Sequence, residues 1–299
     1  MTSRFYAIRK ILVNSISNYR KDDPVKLAGT TAFFTIFAIA PIFIIITSVL
    51  GLLFGQDTVS EKVFAELESL IGREGTGFVE TIVENFRDTE RNIQGTIIGV
   101  IIFLIASTTF FTILQNSLNF VWRIKSKPRN NFLKALKDRV LSFGLIISIG
   151  FILLISLIID GALGIFGDFL QGYIEGYALL LIRIINYIMS VGIMIIIFAL
   201  IYKYLPDTQI EWRVIWVGAI VTAILFTAGK YLIGLGLGLS NIGVIYGAAG
   251  SAVVFLLWVF YSSLILFFGA EVTKQYAEYY NFKIKPKDYA VEFEVSEKE

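Results

Sequence analysis

Two cationic side chains stand inside long apolar segments of this chain, where an uncompensated charge is costly. Lys230 and Arg183 each lie in a run long and apolar enough to cross a bilayer. Ionisable residues in such runs usually face the protein interior or a water-filled cavity, although snorkelling toward the membrane surface is the alternative for long cations. The chemistry predicted is attraction of negative charge, which either a bound anion or a loop acid such as Asp160 or Asp168 would supply.

Polar residues recur at helical spacing in two of these apolar runs. The first stripe comprises Thr108, Thr112, Gln115 and Asn119, and the second comprises Arg183, Asn186, Tyr187 and Ser190. At 100° per residue, each set falls on one face of a helix. Such a face could line a hydrophilic path, or it could join helices by hydrogen bonds that each contribute about 0.6–2 kcal/mol. The spacing alone leaves both interpretations open.

Composition excludes several kinds of site. The chain has no His and no Cys, so imidazole bases, thiol nucleophiles, Ser-His-Asp triads and disulfides are excluded. A transition-metal site would rest on carboxylates alone, and we predict neither a metal nor a cofactor. There is no G-x-x-x-x-G-K-[ST] phosphate loop, so a built-in ATPase is not expected. The sequence therefore predicts a protein that is not an enzyme.

The elements that must position these residues are six apolar runs. They cover residues 27–53, 93–118, 140–159, 178–202, 212–236 and 250–268. A bilayer-spanning helix needs about 20 mostly apolar residues, and the 56% hydrophobic content exceeds that of typical soluble domains. The predicted fold class is an all-α membrane protein with six transmembrane helices.

Basic residues predict the orientation. The 119–139 connection carries seven Lys and Arg residues, whereas the 160–177 connection carries none, and basic loops stay on the cytoplasmic side. Both termini are therefore expected in the cytoplasm of a bacterium, with the protein in its plasma (inner) membrane. The chain divides into a cytoplasmic amphipathic segment (1–26), a six-helix domain (27–270) and a cytoplasmic tail (271–299). From Lys287 onward we expect the tail to be disordered or loosely attached.

Two amphipathic segments flank the first run. Residues 54–92 predict a short helical hairpin in the first extracytoplasmic loop, because apolar residues repeat at helical spacing on both sides of Gly72. Before the first run, Ile8, Leu12 and Ile16 share a helical face. This pattern suits a helix lying on an anionic leaflet, and equally one packed on the end of the bundle.

A basic patch in the 119–139 connection predicts contact with lipid. Its first members are Arg123, Lys125, Lys127 and Arg129. The charge holds the connection on the cytoplasmic side and suits anionic headgroups, while aromatic residues are too sparse there to favour nucleic-acid binding. The predicted partners are membrane lipids and a small solute or lipid substrate, with a second copy of the chain as a further candidate.

Two further features concern the backbone, and a third is a carboxylate at the end of the last run. Pro41 removes a hydrogen bond in the middle of the first run and predicts a kink, which is either static or a hinge. The glycine-rich stretch 234–250 is expected to break the helix, forming a tight loop or a re-entrant turn. Glu271 is expected at the membrane interface, where a solvated carboxylate needs no partner.

Several segments resemble the YihY/BrkB family of bacterial membrane proteins. The similar segments are 26–41, 51–55, 246–251 and 258–271, and the likeness extends from about Tyr19 to Tyr280. The matching positions are Gly29, Pro41, Gly51, Gly55, Tyr246, Gly247, Gly250, Ser251, Gly269 and Glu271. The resemblance implies the six-span plan and a virulence association. It assigns no role to any residue, and Lys230 matches none of the motifs.

Three functions follow from these observations. Polar stripes, interior cations and a kinked span favour a transporter, exporter or lipid flippase for an anionic or amphiphilic substrate. A scaffold or assembly factor, in which the stripes only join helices, is the alternative. The old ribonuclease BN label of the family is the least favoured, because no carboxylate spacing resembles a nuclease metal site.

Overall fold

Helices make up most of the structure. The computed structural model describes residues 2–89, 93–127, 144, 147–152, 177–239 and 245–294. Its helices are α1 (Thr2–Lys21), α2 (Pro24–Phe54), α3 (Gln56–Thr89), α4 (Ile93–Val121), α5 (Tyr177–Tyr204), α6 (Trp212–Leu239) and α7 (Gly250–Tyr279). Four short strands are β1 (Ile124–Ser126), β2 (Thr208–Gln209), β3 (Lys285–Pro286) and β4 (Ala290–Glu292). The all-α prediction for the bundle is confirmed.

Four segments of the described chain are long and apolar enough to cross a membrane. They are Pro24–Phe54, Ile184–Tyr204, Trp212–Gly236 and Gly250–Tyr279. The second predicted span coincides with α4, whereas most of the third lies outside the described residues. A membrane protein is therefore supported, while six spans and cytoplasmic termini stay predictions.

The α3 segment is a helical hairpin that packs into the bundle. Its two helices meet at Gly72, whose φ of 76° only glycine adopts at little cost. Phe64 packs on Phe43 of α2 with ring centroids 4.2 Å apart, and Phe78 packs on Phe255 of α7 at 5.3 Å. The hairpin therefore contributes to the core, beyond the capping role expected from its sequence.

Helix α1 packs on α7 through a face other than the predicted apolar one. Ala7, Ile11 and Ser15 are buried, whereas Ile8, Leu12 and Ile16 are exposed. The Tyr19 hydroxyl donates to the carbonyl oxygen of Leu264 at 2.6 Å. Burial, with the charge of Asp22 as a smaller cause, raises the pKa of the Tyr19 phenol above its usual value, so the hydroxyl keeps its proton. Helix α1 thus both packs on the bundle and leaves an apolar face uncovered.

Helices α6 and α7 approach each other closely at two reciprocal glycine–threonine contacts. A Cβ placed on Gly269 would collide with Thr222 Oγ1, and one placed on Gly218 would collide with Thr273 Oγ1. Small residues four apart allow such close approach in membrane helices. The Tyr202 hydroxyl, within 2.7 Å of Thr222 Oγ1, donates to the Leu266 carbonyl at 2.7 Å and ties α5 to the same crossing.

One local feature of the apolar helices differs from what the sequence suggests, and the kink predicted at Pro41 stays a prediction. The helix does not break at Gly234 and Gly236, since α6 continues to Leu239. In hydrocarbon a helix satisfies every backbone hydrogen bond internally, and this outweighs the low helix propensity of glycine. Pro41 is buried inside α2, which continues through it from Pro24 to Phe54.

The C-terminal segment is ordered, so the expectation of a loose tail from Lys287 is wrong for residues 287–294. Strand β3 pairs antiparallel with β2, and β4 pairs antiparallel with β1. The Phe293 amide also donates to the Arg123 carbonyl at 2.9 Å. Helix α7 itself continues to Tyr279, past the boundary predicted at residue 270. The tail is therefore attached to two connections between helices.

Candidate functional site

One buried carboxylate gathers polar residues at the end of the bundle where the strands lie. Asp207 is 1% exposed and follows α5. Its Oδ1 accepts from Gln115 Nε2 at 3.0 Å, and its Oδ2 accepts from Asn119 Nδ2 at 3.0 Å and from Ser126 Oγ. The Asp207 amide donates to Asn119 Oδ1 at 2.8 Å. We name these four residues the Asp207 cluster, and the end that contains them the strand end.

Two of the four residues in the first polar stripe belong to the Asp207 cluster. Gln115 and Asn119 do share a helical face, and they use it to bind Asp207 rather than to line an open path. Thr112 is exposed and donates to the Thr108 carbonyl at 2.7 Å. Sequence reasoning missed Asp207 because its partners Gln115 and Asn119 lie 92 and 88 residues away in the chain.

The strand end also holds a buried ion pair. Arg123 Nη2 lies 2.5 Å from Asp22 Oδ1, and the Asp22 side chain is 2% exposed. Arg123 therefore neutralises a protein carboxylate instead of pointing freely at lipid. Lys125 and Lys127 are exposed, and Arg129 lies outside the described residues. Their predicted contact with headgroups stays a prediction.

Glu271 is buried, which contradicts the expectation of a solvated interface residue. Its side chain is 0% exposed, Oε1 accepts from Gln275 Nε2 at 3.0 Å, and Lys274 Nζ lies 3.8 Å from Oε2. Trp122 beside it donates through Nε1 to the Ala270 carbonyl at 2.8 Å. The 271/274/275 spacing places all three side chains on one side of α7, a signal available in the sequence.

A second polar region lies at the opposite end of α6. Lys230 is 18 residues beyond Trp212, or about 27 Å along the helix at 1.5 Å per residue. It lines a cavity of about 510 Å³ together with the turn of the α3 hairpin, which brings Glu68, Arg73 and Glu74. We name this the hairpin cavity. The acids in the lining of the hairpin cavity, Glu68 and Glu74, belong to the hairpin. A loop acid was one of the two sources of counter-charge that the sequence left open.

The walls of the hairpin cavity combine charge with apolar surface. Besides the charged residues, its lining includes Trp258, Val254 and Ile233. Tyr231 and Leu235 also line it and are 58% and 66% exposed. Lys230 forms no ion pair and no hydrogen bond through its side chain with any other described residue. The cavity can therefore offer a cation to a ligand while its apolar wall continues onto the outer surface of the helix.

The second polar stripe is less interior than predicted. Tyr187 is 52% exposed and Ser190 is exposed, whereas Asn186 is half-buried. Arg183 belongs to α5, but its side chain lies outside the described part of the structure. The stripe therefore does not form a continuous interior face at Tyr187 and Ser190.

The family-motif glycines occupy different environments. Gly51 allows Gln56 to approach, since a Cβ there would lie 3.0 Å from the Gln56 Cα, and Gly55 has a φ of 86°. Gly29 has no atom within 4 Å of its Cβ position, so steric need does not explain it. Gly269 meets Thr222 at the α6–α7 crossing.

The remaining motif residues surround the start of α7. Tyr246 is 54% exposed, Gly247 has a φ of 55°, Gly250 is buried and Ser251 is half-buried. They form the short 3-10 turn Gly247–Ala249 and the first helical turn after it. This segment shapes the entry into α7.

Comparisons with known proteins identify relatives that are membrane proteins. A membrane protein designated UPF0761 from Pseudomonas aeruginosa (strain LESB58) is 27% identical over 251 residues, which cover 81% of this chain and 57% of that protein. Counterparts from Azotobacter vinelandii and Alcanivorax borkumensis are 26% and 25% identical, covering 84% and 91% of this chain and 59% and 61% of theirs. The chain thus spans less than two-thirds of the length of these relatives. No solved structure matches it.

The family model described as virulence factor BrkB matches residues 15–292, which include both ends of the bundle and the C-terminal strands. This match is longer than the likeness read from the motifs and confirms it. The chain belongs to the virulence factor BrkB family of membrane proteins.

Proposed function

We propose that this membrane protein moves an anionic or amphiphilic substrate, as a transporter, exporter or lipid flippase. The observation that carries the proposal is the hairpin cavity, in which Lys230 of a spanning helix faces the charged turn of α3. A lysine in such a position is costly unless a counter-charge or ligand compensates it. Glu68 and Glu74 supply negative charge to the same cavity without pairing directly with Lys230, so an anionic group of the substrate could bind Lys230.

The shape of the cavity favours a substrate with an apolar part. Trp258 and Val254 line its inner wall, and Leu235 joins it to the exposed surface of α6. A headgroup bound near Lys230 would leave an acyl chain or other apolar group along that surface. Such mixed sites, mostly apolar with a few polar groups, are typical of ligand pockets.

The energy source and orientation belong to the same proposal. Without a phosphate-binding loop in the chain, movement would be passive, gradient-coupled or driven by another protein. We place the protein in the bacterial plasma membrane with both termini in the cytoplasm, which puts the hairpin cavity on the outer side. Lipids, the substrate and a second copy of the chain are the proposed partners, and the virulence association stays a prediction.

The proposal can be tested by lipid and solute movement in proteoliposomes. The purified full chain is reconstituted with fluorescent phosphatidylglycerol and phosphatidylcholine analogues, and their exchange between leaflets is followed by a membrane-impermeant quencher. We expect faster exchange of the anionic analogue with the wild type. Lys230→Gln should slow this exchange roughly 10- to 150-fold, because a charge-assisted contact contributes about 1.5–3 kcal/mol. Lys230→Arg should preserve most of the exchange.

The matched control is Lys62→Gln. Lys62 lies on the same hairpin and does not line the cavity, so its loss should leave the exchange rate unchanged. Equal rates for wild type and Lys230→Gln, or exchange no faster than in empty vesicles for either analogue, would count against this mechanism.

A scaffold or assembly factor is the second candidate, and the Asp207 cluster favours it. There the polar residues of α4 join helices and strands instead of forming a path. This function predicts specific protein partners after cross-linking in membranes, with no exchange of either lipid analogue. Specific partners cross-linked to the wild type, together with background-level exchange of both analogues, would favour it over transport.

We do not propose an enzymatic activity or nucleic-acid binding. RNA hydrolysis needs an acid–base pair or a metal cluster, and the chain has no histidine. Incubation of RNA with purified protein and Mg²⁺ or Mn²⁺ should give no cleavage. Cleavage that disappears in Glu271→Gln would contradict this expectation.

A further inference from the structure

A second cavity, at the strand end, is unusually rich in lysine. It has a volume of about 640 Å³ and lies between the end of α5, the start of α6 and the segment after α7. Lys203, Lys283 and Lys285 line it, with Glu211 as the acid among its lining residues. We name it the lysine cavity. Positive charge exceeds negative charge in this lining, which favours an anionic ligand.

The end of α7 brings two of these lysines into place. Asn281 adopts a left-handed φ of 57°, and the Phe282 amide donates to the Ala277 carbonyl at 2.8 Å. This geometry is a Schellman ending, in which a left-handed residue reverses the chain after a helix. The reversed segment then pairs with β2, where Lys285 lies opposite Gln209. Lys283 and Lys285 are therefore placed by backbone structure, although their side chains stay exposed.

On the side of the lysine cavity formed by α5 and α6, a hydrogen bond and cation–π contacts position the side chains. Lys203 Nζ donates to the Ile210 carbonyl at 2.5 Å and lies 5.6 Å from the centre of the Trp212 ring. The Arg213 guanidinium lies 5.8 Å from the centre of the Phe282 ring. An ammonium has three donors, so Lys203 retains donors for a ligand after binding Ile210.

The lysine cavity opens where a membrane-facing surface of α6 begins. Trp212, Trp216, Ile220 and Ile224 recur at every fourth residue of this spanning helix, and all four are exposed. Tyr204 packs edge-on against Trp212 at 6.2 Å. Because Trp and Tyr concentrate at the level of lipid headgroups, the apolar stripe faces acyl chains and the lysine cavity lies at headgroup depth.

We propose that the lysine cavity binds the phosphate headgroup of an anionic phospholipid. Lys283 and Lys285 contact the phosphate from the C-terminal segment, Lys203 contacts it from α5, and the acyl chains lie along Trp216 and Ile220. The site is separate from the basic patch read from the sequence, where Arg123 is bound to Asp22. It is also separate from the hairpin cavity, which lies about 27 Å away along α6.

Titration of lipid into the delipidated full chain tests this proposal. Binding of phosphatidylglycerol and of phosphatidylcholine with the same acyl chains is measured by native mass spectrometry from detergent micelles. We expect tighter binding of phosphatidylglycerol to the wild type. Each basic residue near an anionic surface contributes about a fivefold gain in affinity, so Lys283→Gln/Lys285→Gln should weaken this binding roughly 25-fold and leave phosphatidylcholine binding unchanged.

The control removes two charges elsewhere at the same end of the molecule. Arg20 and Lys21 are exposed on α1 and do not line the cavity, so Arg20→Gln/Lys21→Gln should bind phosphatidylglycerol as the wild type does. The single variant Lys283→Gln, which leaves the backbone pairing of β3 intact, should show about a fivefold loss even if the double variant fails to fold.

Three outcomes would overturn the proposal. Equal losses in the α1 control and the cavity variants would mean that only overall charge matters. Equal binding of phosphatidylglycerol and phosphatidylcholine would remove the role of the anion. Binding of soluble glycerol 3-phosphate as tightly as phosphatidylglycerol would identify a soluble phosphate as the ligand. Lipid exchange in proteoliposomes depends on Lys230 instead, so the two proposals can fail separately.

Discussion

The two ends of the bundle differ in how directly their main charged side chains are paired. At the strand end, Asp207 accepts three side-chain hydrogen bonds and Asp22 is paired with Arg123. At the hairpin cavity, Lys230 faces acids without direct pairing among the described residues. The Asp207 cluster is a connected polar network, which rigidifies a structure, although Asp22 Oδ2 and Glu271 Oε2 at the same end are buried without a hydrogen-bond partner among the described residues. Lys230, which has no direct partner among those residues, is open to a ligand. The difference suggests a fixed end and a working end.

The largest test of this contrast is Asp207→Ala. The change leaves the buried amide of Asn119 and the half-buried amide of Gln115 without their acceptor, and a buried unsatisfied group costs about 1–3 kcal/mol. We expect a strongly lowered thermal unfolding midpoint of the purified protein in detergent. Glu61→Ala is the control, because Glu61 is exposed within α3 and should change the midpoint little. A midpoint equal to that of the wild type would mean that the strand end is not fixed by this carboxylate.

Gly269→Ala should have the next largest effect on stability. The added methyl group would collide with Thr222 Oγ1 at the α6–α7 crossing, and overpacking of this kind costs about 1–3 kcal/mol. The same midpoint measurement checks it. Gly29→Ala is the matched control, since its Cβ position is open, and Gly269→Ala/Thr222→Ala should recover part of the loss. Equal effects at Gly29 and Gly269 would contradict the steric explanation.

Phe293→Ala probes the attachment of the C-terminal segment. The Phe293 ring lies 6.0 Å from that of Phe120, and aromatic pairs contribute about 0.5–1.5 kcal/mol beyond area burial. We expect a small drop in the midpoint together with faster proteolysis of the C-terminal segment. Glu294→Ala, at an exposed neighbouring position, should leave proteolysis unchanged. Unaltered proteolysis in Phe293→Ala would show that backbone pairing alone holds the segment.

Lys230→Gln should have the smallest effect on stability. Surface and cavity substitutions that break no buried network usually change stability by less than about 0.5 kcal/mol, so the unfolding midpoint should match that of Lys62→Gln. If Lys230→Gln lowered the unfolding midpoint as much as Asp207→Ala does, Lys230 would be a structural residue. The proposed difference between the two ends would then be wrong.

The sequence predicted the helices better than the contacts that their polar side chains make with distant parts of the chain. The spacing of Gln115 and Asn119 indicated one helical face correctly, yet the acceptor Asp207 lies about ninety residues away in the chain and no local pattern points to it. The same holds for Lys230, where hydropathy identified the span but not the hairpin turn that faces it. Long-range pairing is what one sequence alone leaves undetermined.

Three expectations were wrong although the sequence carried a signal for each. In 291–294 Val, Glu, Phe and Glu alternate, a period-two pattern typical of a strand, so the attached segment could have been predicted. Gly234 and Gly236 were judged by helix propensity in water, whereas the requirement for internal hydrogen bonds in lipid governs them. Glu271 was expected to be solvated although Lys274 and Gln275 stand at helical spacing beside it.

The reciprocal contacts of Gly218 with Thr273 and of Gly269 with Thr222 have a mechanical consequence. Each threonine is seated in a recess on the other helix, so α6 and α7 cannot slide along each other without emptying both recesses at once. Because the two contacts lie four residues, or about 6 Å, apart along each helix, rotation about the crossing would separate them too. The two helices are therefore locked in register and in crossing angle at this point.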